Sequence, residues 1–439
     1  MNEKIRLLID SYKDEKEYFK TLEEFFSAIP NSFIDKIDFN IIKKLTIPNN
    51  VIEFDVDWID NAGMQKINKG YRVQWSNANG VYKGGLRFHP SVNISILKML
   101  AFEQTFKNVL TGLPMGGAKG GSDFDPKGKS EEEIIRFSRA FMEKLQPYIG
   151  GDVDVPAGDI GVGHQEIRAM YEKYIEITGK DDGVLTGKPI DLGGSLCRKE
   201  ATGYGLCYIS QKCLESELKM SFAGKNVVIS GSGNVAIYAA EKAQQLGAVV
   251  IAMSDSKSAI YNPSGIDLDE IKSIKEEKKG RLHDYILKYP ETKELPSKDI
   301  WEIKCHIALP CATQFEIDLA AAKKLVANGV LLVAEGSNMS THADAAKYLI
   351  SETLYLPGKA ANAGGVAVSG FEMIQNKNKE KWSFEKVDNK LKEVMENIYI
   401  KISATAKEYG ANHNFLMGAN VYSLEQLTSK LHNDWLENN

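Results

Sequence analysis

One continuous stretch most narrowly limits the folds open to this chain. The short apolar segment 225–230 is followed by a glycine-rich turn at 231–236, a helical stretch and a second apolar run at 248–253. Strand, glycine turn, helix and strand in this order form a βαβ unit. Further short apolar runs at 307–310 and 330–334 predict more parallel strands. The chain is therefore predicted to contain an open, doubly wound α/β sheet.

The turn of this βαβ unit carries a GxGxxA pattern formed by Gly231, Gly233 and Ala236. The first glycine permits a tight turn, the second lets a pyrophosphate approach the backbone, and the small third residue lets the helix pack closely on the strand. The positive end of the helix beginning near Asn234 would face the phosphates. Because the flanking strands and the helix are also present, the pattern predicts a dinucleotide site.

The residues after the second strand of this unit leave the choice between NAD and NADP open. Asp255 is placed to bind a ribose 2′-hydroxyl, which favours NAD. Lys257, Lys275, Lys278 and Arg281 follow it, and such a set could hold a 2′-phosphate. Equally, runs of charge often do no more than solvate a helix face.

A second glycine-rich segment, LPMGGAKGG at 113–121, contains one lysine. Lys119 has almost no polar neighbours in the sequence and no adjacent carboxylate, so we expect a poorly hydrated ammonium group. Desolvation disfavours the protonated form of a lysine, which could then act near neutral pH as a base, a nucleophile or a group that polarises an electrophile. On this segment alone, a glycine-rich turn with a solvated lysine remains the alternative.

Composition excludes several classes of protein. The net charge of -5 leaves no basic surplus for nucleic acid. No apolar run is long enough to span a membrane and the first residues lack a signal-peptide pattern, so we expect a cytoplasmic protein with no membrane partner. The 5 cysteines show no CxxC spacing and no HExxH motif occurs, so we expect reduced thiols and no metal site.

The rest of the chain alternates helical and extended patterns. Ser130, followed by three glutamates, is a candidate helix N-cap. Apolar spacing predicts helices at 5–47, at 91–110 and from 383 to the end, and strands at 51–58 and 69–76.

Several longer motifs carry a specific resemblance. They are YKGGLRF at 82–88, LPMGGAKGGSDFDP at 113–126, DVPAGDIGVG at 154–163, ATGYG at 201–205, LPCATQ at 309–314 and AANAGGV at 360–366. Together, over about residues 50–425, they closely resemble the small hexameric glutamate dehydrogenases of the Glu/Leu/Phe/Val dehydrogenase superfamily. The resemblance implies reversible oxidative deamination of L-glutamate to 2-oxoglutarate and ammonium, carried out by a homohexamer.

The same resemblance implies an architecture of two α/β domains facing each other across a cleft. Residues 1–195 would form the substrate-binding and oligomerisation domain, and residues 196–370 the Rossmann-type dinucleotide-binding domain. The C-terminal helices at 371–439 would return to pack on the first domain.

The resemblance also implies the reacting residues. Lys119 matches the catalytic lysine that polarises the substrate carbonyl and the attacking water, and Asp159 matches the acid/base that moves protons to and from the substrate nitrogen. Without the resemblance, Asp159 would be interpreted as a turn aspartate among glycines.

Four further residues match substrate contacts. Lys83 and Ser369 match the pair that binds the side-chain carboxylate, and Lys107 matches the lysine that holds the α-carboxylate. Gln104, one turn earlier on the same helix face, matches a second contact there. Without the resemblance, both lysines would be solvated and Ser369 would be a loop serine.

The coenzyme contacts are implied in the same way. The GSGNVA form of the turn and the SDS string at 254–256 resemble NADP-using members, so the resemblance favours NADP, with NAD as the alternative. The matching positions are Thr202, Gly231, Ser232, Gly233, Asn234, Val235, Ser254, Asp255, Lys275, Arg281, Asn338 and Asn362.

Departures from the family pattern are local. Lys199 replaces an expected proline, and Ser337 and 340–342 alter a familiar loop, which affects loop shape near the coenzyme rather than a reacting group. The nearest rival function is a branched-chain or aromatic amino-acid dehydrogenase, which Lys83 and Ser369 disfavour. A rival of another class is a non-catalytic nucleotide sensor.

Overall fold

The computed structural model describes residues 2–437 and divides into two compact units. Unit 1 contains the described residues up to Leu196 together with Val368–Phe384 and 420–437, whereas unit 2 contains Cys197–Ala367 and Glu385–Ala419. Each unit is an α/β structure built on one sheet. No helix within 2–437 combines the length and the apolar character needed to cross a membrane.

Unit 1 is built on a mixed sheet of order β1-β2-β4-β3-β5. Its strands are β1 (Asn50–Ile59), β2 (Gln65–Ser76), β3 (Tyr82–Phe88), β4 (Gly117–Ser122) and β5 (Asp154–Gly158). β1, β2 and β4 are antiparallel neighbours, and β4, β3 and β5 are parallel neighbours. The helices preceding unit 2 are α1 (Glu3–Asp10), α2 (Lys16–Ser27), α3 (Asn31–Ile34), α4 (Phe39–Leu45), α5 (Ile94–Leu110), α6 (Glu131–Leu145) and α7 (His164–Thr178).

An aromatic cluster fills the core between this sheet and α6. Phe88, Phe124 and Phe137 are buried together, and the rings of Phe124 and Phe137 stack at 3.8 Å between centroids. Each such buried ring contributes about 1.5–3 kcal/mol of hydrophobic free energy. The cap predicted at Ser130 is confirmed, because its Oγ accepts a hydrogen bond from the backbone N–H of Glu133 and fixes the start of α6.

A buried ion pair crosses the same sheet. Arg72 on β2 is fully buried and its Nε donates to Asp154 Oδ2 on β5 at 2.9 Å, while its Nη1 donates to the carbonyl of Gly84 on β3 at 3.0 Å. The side chain passes under β4 at Gly120, where a Cβ would lie 3.1 Å from Arg72 Cδ. One guanidinium therefore fixes the positions of strands β2, β3 and β5 around β4.

Unit 2 is built on a sheet of order β12-β11-β10-β6-β7-β8-β9, in which the strands from β12 to β7 are parallel and β8 and β9 are antiparallel additions. The predicted doubly wound sheet is confirmed. Its strands are β6 (Asn226–Ser230), β7 (Val249–Ser254), β8 (Ser258–Tyr261), β9 (Lys293–Pro296), β10 (Ile307–Pro310), β11 (Leu332–Ala334) and β12 (Leu354–Leu356). Its helices before the C-terminal region are α8 (Ala201–Leu218), α9 (Asn234–Gln245), α10 (Leu268–Lys272), α11 (His283–Lys288), α12 (Leu319–Ala327), α13 (Ala343–Glu352) and α14 (Gly358–Ala361).

The C-terminal region forms α15 (Gly364–Asn378), α16 (Phe384–Glu408) and α17 (Phe415–Glu437). The expectation that all of 371–439 packs on the first domain is wrong for Glu385–Ala419, which belongs to unit 2. The reason is that α16 is bound to α8: the Tyr208 hydroxyl donates to Asp388 Oδ1 at 2.7 Å, and Tyr399 donates to Glu217. The described residues from Asn420 onward, 420–437, do belong to unit 1.

The buried Arg72–Asp154 pair yields a stability prediction. We expect Arg72→Met to lower the free energy of unfolding by about 3–5 kcal/mol, because it leaves the Asp154 carboxylate buried without its partner. The double variant Arg72→Met/Asp154→Asn should recover part of this loss. Denaturant unfolding at matched protein concentration measures both, and Arg139→Met, which removes a partly exposed pair with Glu176, is the control. Equal losses of unfolding free energy in the single and double variants would contradict the inference that the unpaired Asp154 carboxylate causes the loss.

Candidate active site

Three alternate residues of β3 face one side of the unit 1 sheet. Side chains alternate along a strand, so Lys83, Gly85 and Arg87 share a face. Gly85 leaves that face open: a Cβ there would lie 3.0 Å from Asp159 Cβ and 3.3 Å from Lys119 Nζ. The glycine between two cationic side chains therefore makes room for two other charged groups to meet above the strand.

Lys119 lies on β4, with only 7% of its surface exposed. Its Nζ is 2.9 Å from Asp159 Oδ2. The expected poor hydration is confirmed, and the carboxylate beside this lysine comes from another segment of the chain rather than from its sequence neighbours. The physical reason is the strand order β4-β3-β5, which brings the loop after β5 next to β4 across the gap left by Gly85.

Asp159 follows β5 and is held by two cations. Lys119 Nζ approaches its Oδ2, and Arg87 Nε donates to the same oxygen at 3.0 Å. Burial alone would raise the pKa of the Asp159 carboxyl, but the two neighbouring cations outweigh burial and lower that pKa. The group is therefore an ionised carboxylate at neutral pH, able to accept a proton.

Lys107 is presented by α5 near this pair. Burial, followed by repulsion from the Lys119 ammonium, lowers the pKa of Lys107 to about 8. Gln104 Nε2, on the preceding turn, donates to Asn108 Oδ1 at 2.6 Å. Asn108 Nδ2 in turn donates to the carbonyl of Lys83 at 3.1 Å and to that of Gly116, so one amide fixes α5 against β3 and the segment leading into β4.

Lys83 and Ser369 are also buried in unit 1, each with 3% of its surface exposed. Lys107 is half-buried. Unit 1 thus contains three lysines of the predicted site, Lys83, Lys107 and Lys119. Ammonium groups bind carboxylates through charge-assisted hydrogen bonds, so these lysines fit a substrate that carries negative charge.

The predicted dinucleotide turn lies between β6 and α9 in unit 2. Gly231 has φ +88°, a left-handed conformation that strongly favours glycine, and its N–H donates to Ser254 Oγ at 3.0 Å. A Cβ on Gly233 would meet no atom within 4 Å, so the backbone there is open to approach. Gly233 is the N-cap of α9 and has no side chain that could accept a hydrogen bond from the first N–H groups of this helix. Those N–H groups are therefore available to an anion. These residues fit a pyrophosphate.

One predicted coenzyme residue in the turn has a local structural partner. Asn234, the first residue of α9, donates through Nδ2 to the carbonyl of Lys199 at 2.6 Å, and Lys199 Nζ lies 2.8 Å from Glu276 Oε1. Ser232 is buried, and Val235 is half-buried in the first turn of α9. Thr202 lies at the start of α8 and packs closely against Gly365. A Cβ added to that glycine would lie 2.7 Å from the Thr202 Oγ1.

Asp255 immediately follows β7 and is buried. Its Oδ1 accepts the N–H groups of Lys257 at 2.8 Å and Ser258 at 3.2 Å, and its Oδ2 accepts that of Leu282 at 3.0 Å. Burial opposes ionisation, but these N–H groups, with Lys275 behind them, prevail and lower the pKa of Asp255. Both oxygens of this carboxylate are thus engaged in hydrogen bonds that hold the loop in place.

Of the basic residues predicted to follow Asp255, Lys275 and Arg281 lie near it, whereas Lys278 pairs with Glu270. Lys275 Nζ lies 4.0 Å from Asp255 Oδ2 and donates to the Gly280 carbonyl at 3.0 Å. Arg281 Nη1 donates to Ser256 Oγ at 3.0 Å. Two cations and a hydroxyl therefore lie beside the end of β7.

Asn338 and Asn362 are joined by a hydrogen bond of 2.9 Å from Asn362 Nδ2. The loops that carry them are tied by one buried carboxylate, because Glu335 accepts the N–H groups of Thr341 at 2.8 Å and Gly358 at 2.7 Å. Burial raises the pKa of Glu335. The altered loop is internally bonded as well: Ser337 Oγ donates to the Thr313 carbonyl.

Sequence reasoning assigned no role to two residues that contact this site. Arg87 lies in the quoted motif at 82–88, and its spacing of four from Lys83 places both on one face of a strand, which is the signal that could have found it. Asn108 follows Lys107 directly, and no sequence signal indicates its bonds to two other segments.

Comparison with known proteins shows the class. A model of the family described as Glutamate/Leucine/Phenylalanine/Valine dehydrogenase matches residues 193–433, and one described as Glu/Leu/Phe/Val dehydrogenase, dimerisation domain, matches residues 48–176. Together the two models cover most of the chain. The chain belongs to the Glu/Leu/Phe/Val dehydrogenase family.

Individual relatives are glutamate dehydrogenases. The chain is 46% identical to an NADP-specific glutamate dehydrogenase of Helicobacter pylori, covering 97% of this chain and 98% of the relative. It is 44% identical to an NAD-specific glutamate dehydrogenase of Clostridium symbiosum, covering 96% and 95%. The crystal structure of Plasmodium falciparum glutamate dehydrogenase is similar with a TM-score of 0.96 and 44% identity, covering 99% of this chain and 94% of that one.

Proposed function

We propose that this chain is an NADP-dependent glutamate dehydrogenase that catalyses reversible oxidative deamination of L-glutamate to 2-oxoglutarate and ammonium. The observation that carries the proposal is the buried contact of 2.9 Å between Lys119 Nζ and Asp159 Oδ2. An ammonium and a carboxylate so placed are the two groups that amine and carbonyl interconversion requires. The identities of 44–46% to glutamate dehydrogenases over nearly whole chains support it.

The proposed roles of Lys119 and Asp159 follow from the charges of their side chains. The nicotinamide coenzyme supplies, when bound, the acceptor for the substrate α-hydrogen as hydride. The Lys119 ammonium stabilises negative charge on oxygen as water adds to the α-carbon. Asp159 accepts the proton that this water loses and returns a proton to the departing nitrogen.

Substrate choice rests on the two carboxylates of glutamate. Lys107, with Gln104 on the preceding turn, binds the α-carboxylate, and Lys83 with Ser369 binds the side-chain carboxylate. A branched-chain or aromatic substrate carries no side-chain carboxylate for the buried Lys83 and Ser369 to bind. The alternative amino-acid dehydrogenases are therefore disfavoured.

NADP is favoured over NAD on the chemistry at the end of β7. Asp255 already accepts three backbone N–H groups, which reduces its capacity to bind a ribose hydroxyl. Lys275, Arg281 and Ser256 lie beside it, a set that suits a phosphate. NAD remains the alternative, since relatives of comparable identity use either coenzyme.

We propose a homohexamer in the cytoplasm as the working form, the hexamer resting on the family resemblance. β1 is an edge strand of the unit 1 sheet and exposes Val51 and Ile59, with Met64 and Ile67 exposed on the hairpin that follows. An exposed apolar edge is normally covered. The name of the family model that matches 48–176, dimerisation domain, agrees with a second copy at this edge.

The direct test follows the absorbance of the reduced nicotinamide with 2-oxoglutarate, ammonium and either coenzyme. We expect turnover, faster with NADPH. The variant Lys83→Leu/Ser369→Val should lose about 100-fold or more in kcat/KM for glutamate and gain some activity on apolar amino acids, because a charge-assisted contact is replaced by an apolar wall. No turnover with either coenzyme would favour the nucleotide sensor, and unchanged glutamate turnover in the double variant would refute the pocket assignment.

Lys107 predicts a pH dependence of substrate binding. A lysine with a pKa of about 8 is charged below that pH and neutral above it, so affinity for 2-oxoglutarate should fall as the pH rises through about 8. Lys107→Arg should remove this alkaline loss, because a guanidinium stays charged. The dissociation constant of 2-oxoglutarate, measured by quenching of NADPH fluorescence, reports the effect cleanly, because this ligand has no amino group that would itself titrate. A flat wild-type profile would contradict the prediction.

The coenzyme preference predicts an asymmetric loss. Lys275→Ala and Arg281→Ala should each lower kcat/KM for NADPH by about 10- to 100-fold and that for NADH by less than about threefold, because only NADPH carries the 2′-phosphate. Initial rates with both coenzymes measure this. The matched control is Lys278→Ala, an exposed lysine of the same basic stretch. Equal losses for the two coenzymes would exclude the phosphate role.

A further inference from the structure

We propose that Arg87 is a positioning residue for Asp159, holding one carboxylate oxygen so that the other is presented to the substrate. This rests on the proposed function, in which Asp159 exchanges protons. Arg87 Nε donates to Asp159 Oδ2 at 3.0 Å, and Lys119 Nζ approaches that same oxygen at 2.9 Å. Within residues 2–437, the two cations that bind this carboxylate thus both approach Oδ2.

The backbone around this contact is fixed on both sides. Phe88 N–H, next to Arg87, donates to the carbonyl of Ile160, next to Asp159, at 2.9 Å. Val162 N–H closes the loop by donating to the Asp159 carbonyl at 2.9 Å. Because the residues that follow Arg87 and Asp159 are bound to each other through their main chains, the backbone positions from which the two side chains meet are fixed.

Arg87 can hold the Asp159 carboxylate throughout the reaction, whereas Lys119 cannot. When Lys119 turns its ammonium toward a substrate oxygen, its bond to Asp159 weakens. The guanidinium of Arg87 stays charged at every working pH and has a planar donor geometry suited to a carboxylate. Its side chain is only 14% exposed, so solvent screens this contact weakly. Arg87 therefore keeps the carboxylate ionised and oriented while Lys119 is engaged elsewhere.

Other charged groups act on the same carboxylate from neighbouring elements. Lys119 faces it from β4, and Lys107 on α5 interacts electrostatically with both members of the pair. Glu103 acts on Lys107 from the preceding turn of α5. His164, which begins α7 after the Asp159 loop, bonds to the carbonyl of Gly187 instead. Removal of Arg87 should therefore shift the protonation of Asp159 without abolishing its ionisation.

The test is the pH profile of kcat/KM for glutamate oxidation. In Arg87→Met, we expect the acidic limb to move upward by about one pH unit or more, because a neighbouring cation that favours the ionised carboxylate has been removed. Activity should fall about tenfold on the acidic side and much less at the alkaline plateau. Arg87→Lys should give an intermediate limb, since it restores the charge but not the Nε geometry.

The matched control is Arg168→Met, which removes an arginine paired with Asp191 at 2.8 Å on the exposed surface of unit 1 and should leave the limb in place. If Arg87→Met does not fold, judged by thermal unfolding, Arg87→Lys decides. If the wild type is active and the folded Arg87 variants keep the same acidic limb, with turnover reduced equally at every pH, the inference about Arg87 is overturned and the proposed function is not. A wild type without turnover would overturn the proposed function with it.

Discussion

The fully buried guanidinium of Arg72 is the interaction on which the geometry of unit 1 depends. It binds Asp154 on β5 and the Gly84 carbonyl on β3 while passing under β4. Gly120 leaves room for it on that face, and Lys119, one residue earlier, therefore points to the opposite face. A charge pair on one side of the sheet thus sets the strand positions that assemble a different charge cluster on the other.

The two faces differ in how their charges are balanced. Beneath the sheet, Arg72 and Asp154 form a closed pair, with Gln74 Nε2 donating a further bond of 2.9 Å to the carboxylate. Above it, Lys119 and Arg87 share the single carboxylate of Asp159. A cluster with surplus buried cations is stabilised by an incoming anion.

Local patterns predicted the parts of the fold that local chemistry determines. The βαβ unit, α5 and the Ser130 cap agree with the structure because apolar periodicity and capping act over a few residues. The strands β3, β4 and β5 gave no such signal, since their glycines interrupt any alternation. The contact of Lys119 with Asp159 depends on strand order, so the residues alone indicated a lone lysine, and only the family resemblance indicated its partner.

Asp255 shows why a residue type at a given position is an incomplete guide to its role. An acid at the end of the second strand of a βαβ unit indicates a ribose contact when only the sequence is considered. Here both of its oxygens accept backbone N–H groups, including that of Leu282 from a distant loop. That bond holds the segment carrying Lys275 and Arg281 beside β7. The acid that suggests NAD in the sequence therefore helps, through its main-chain bonds, to place the cations that suit NADP.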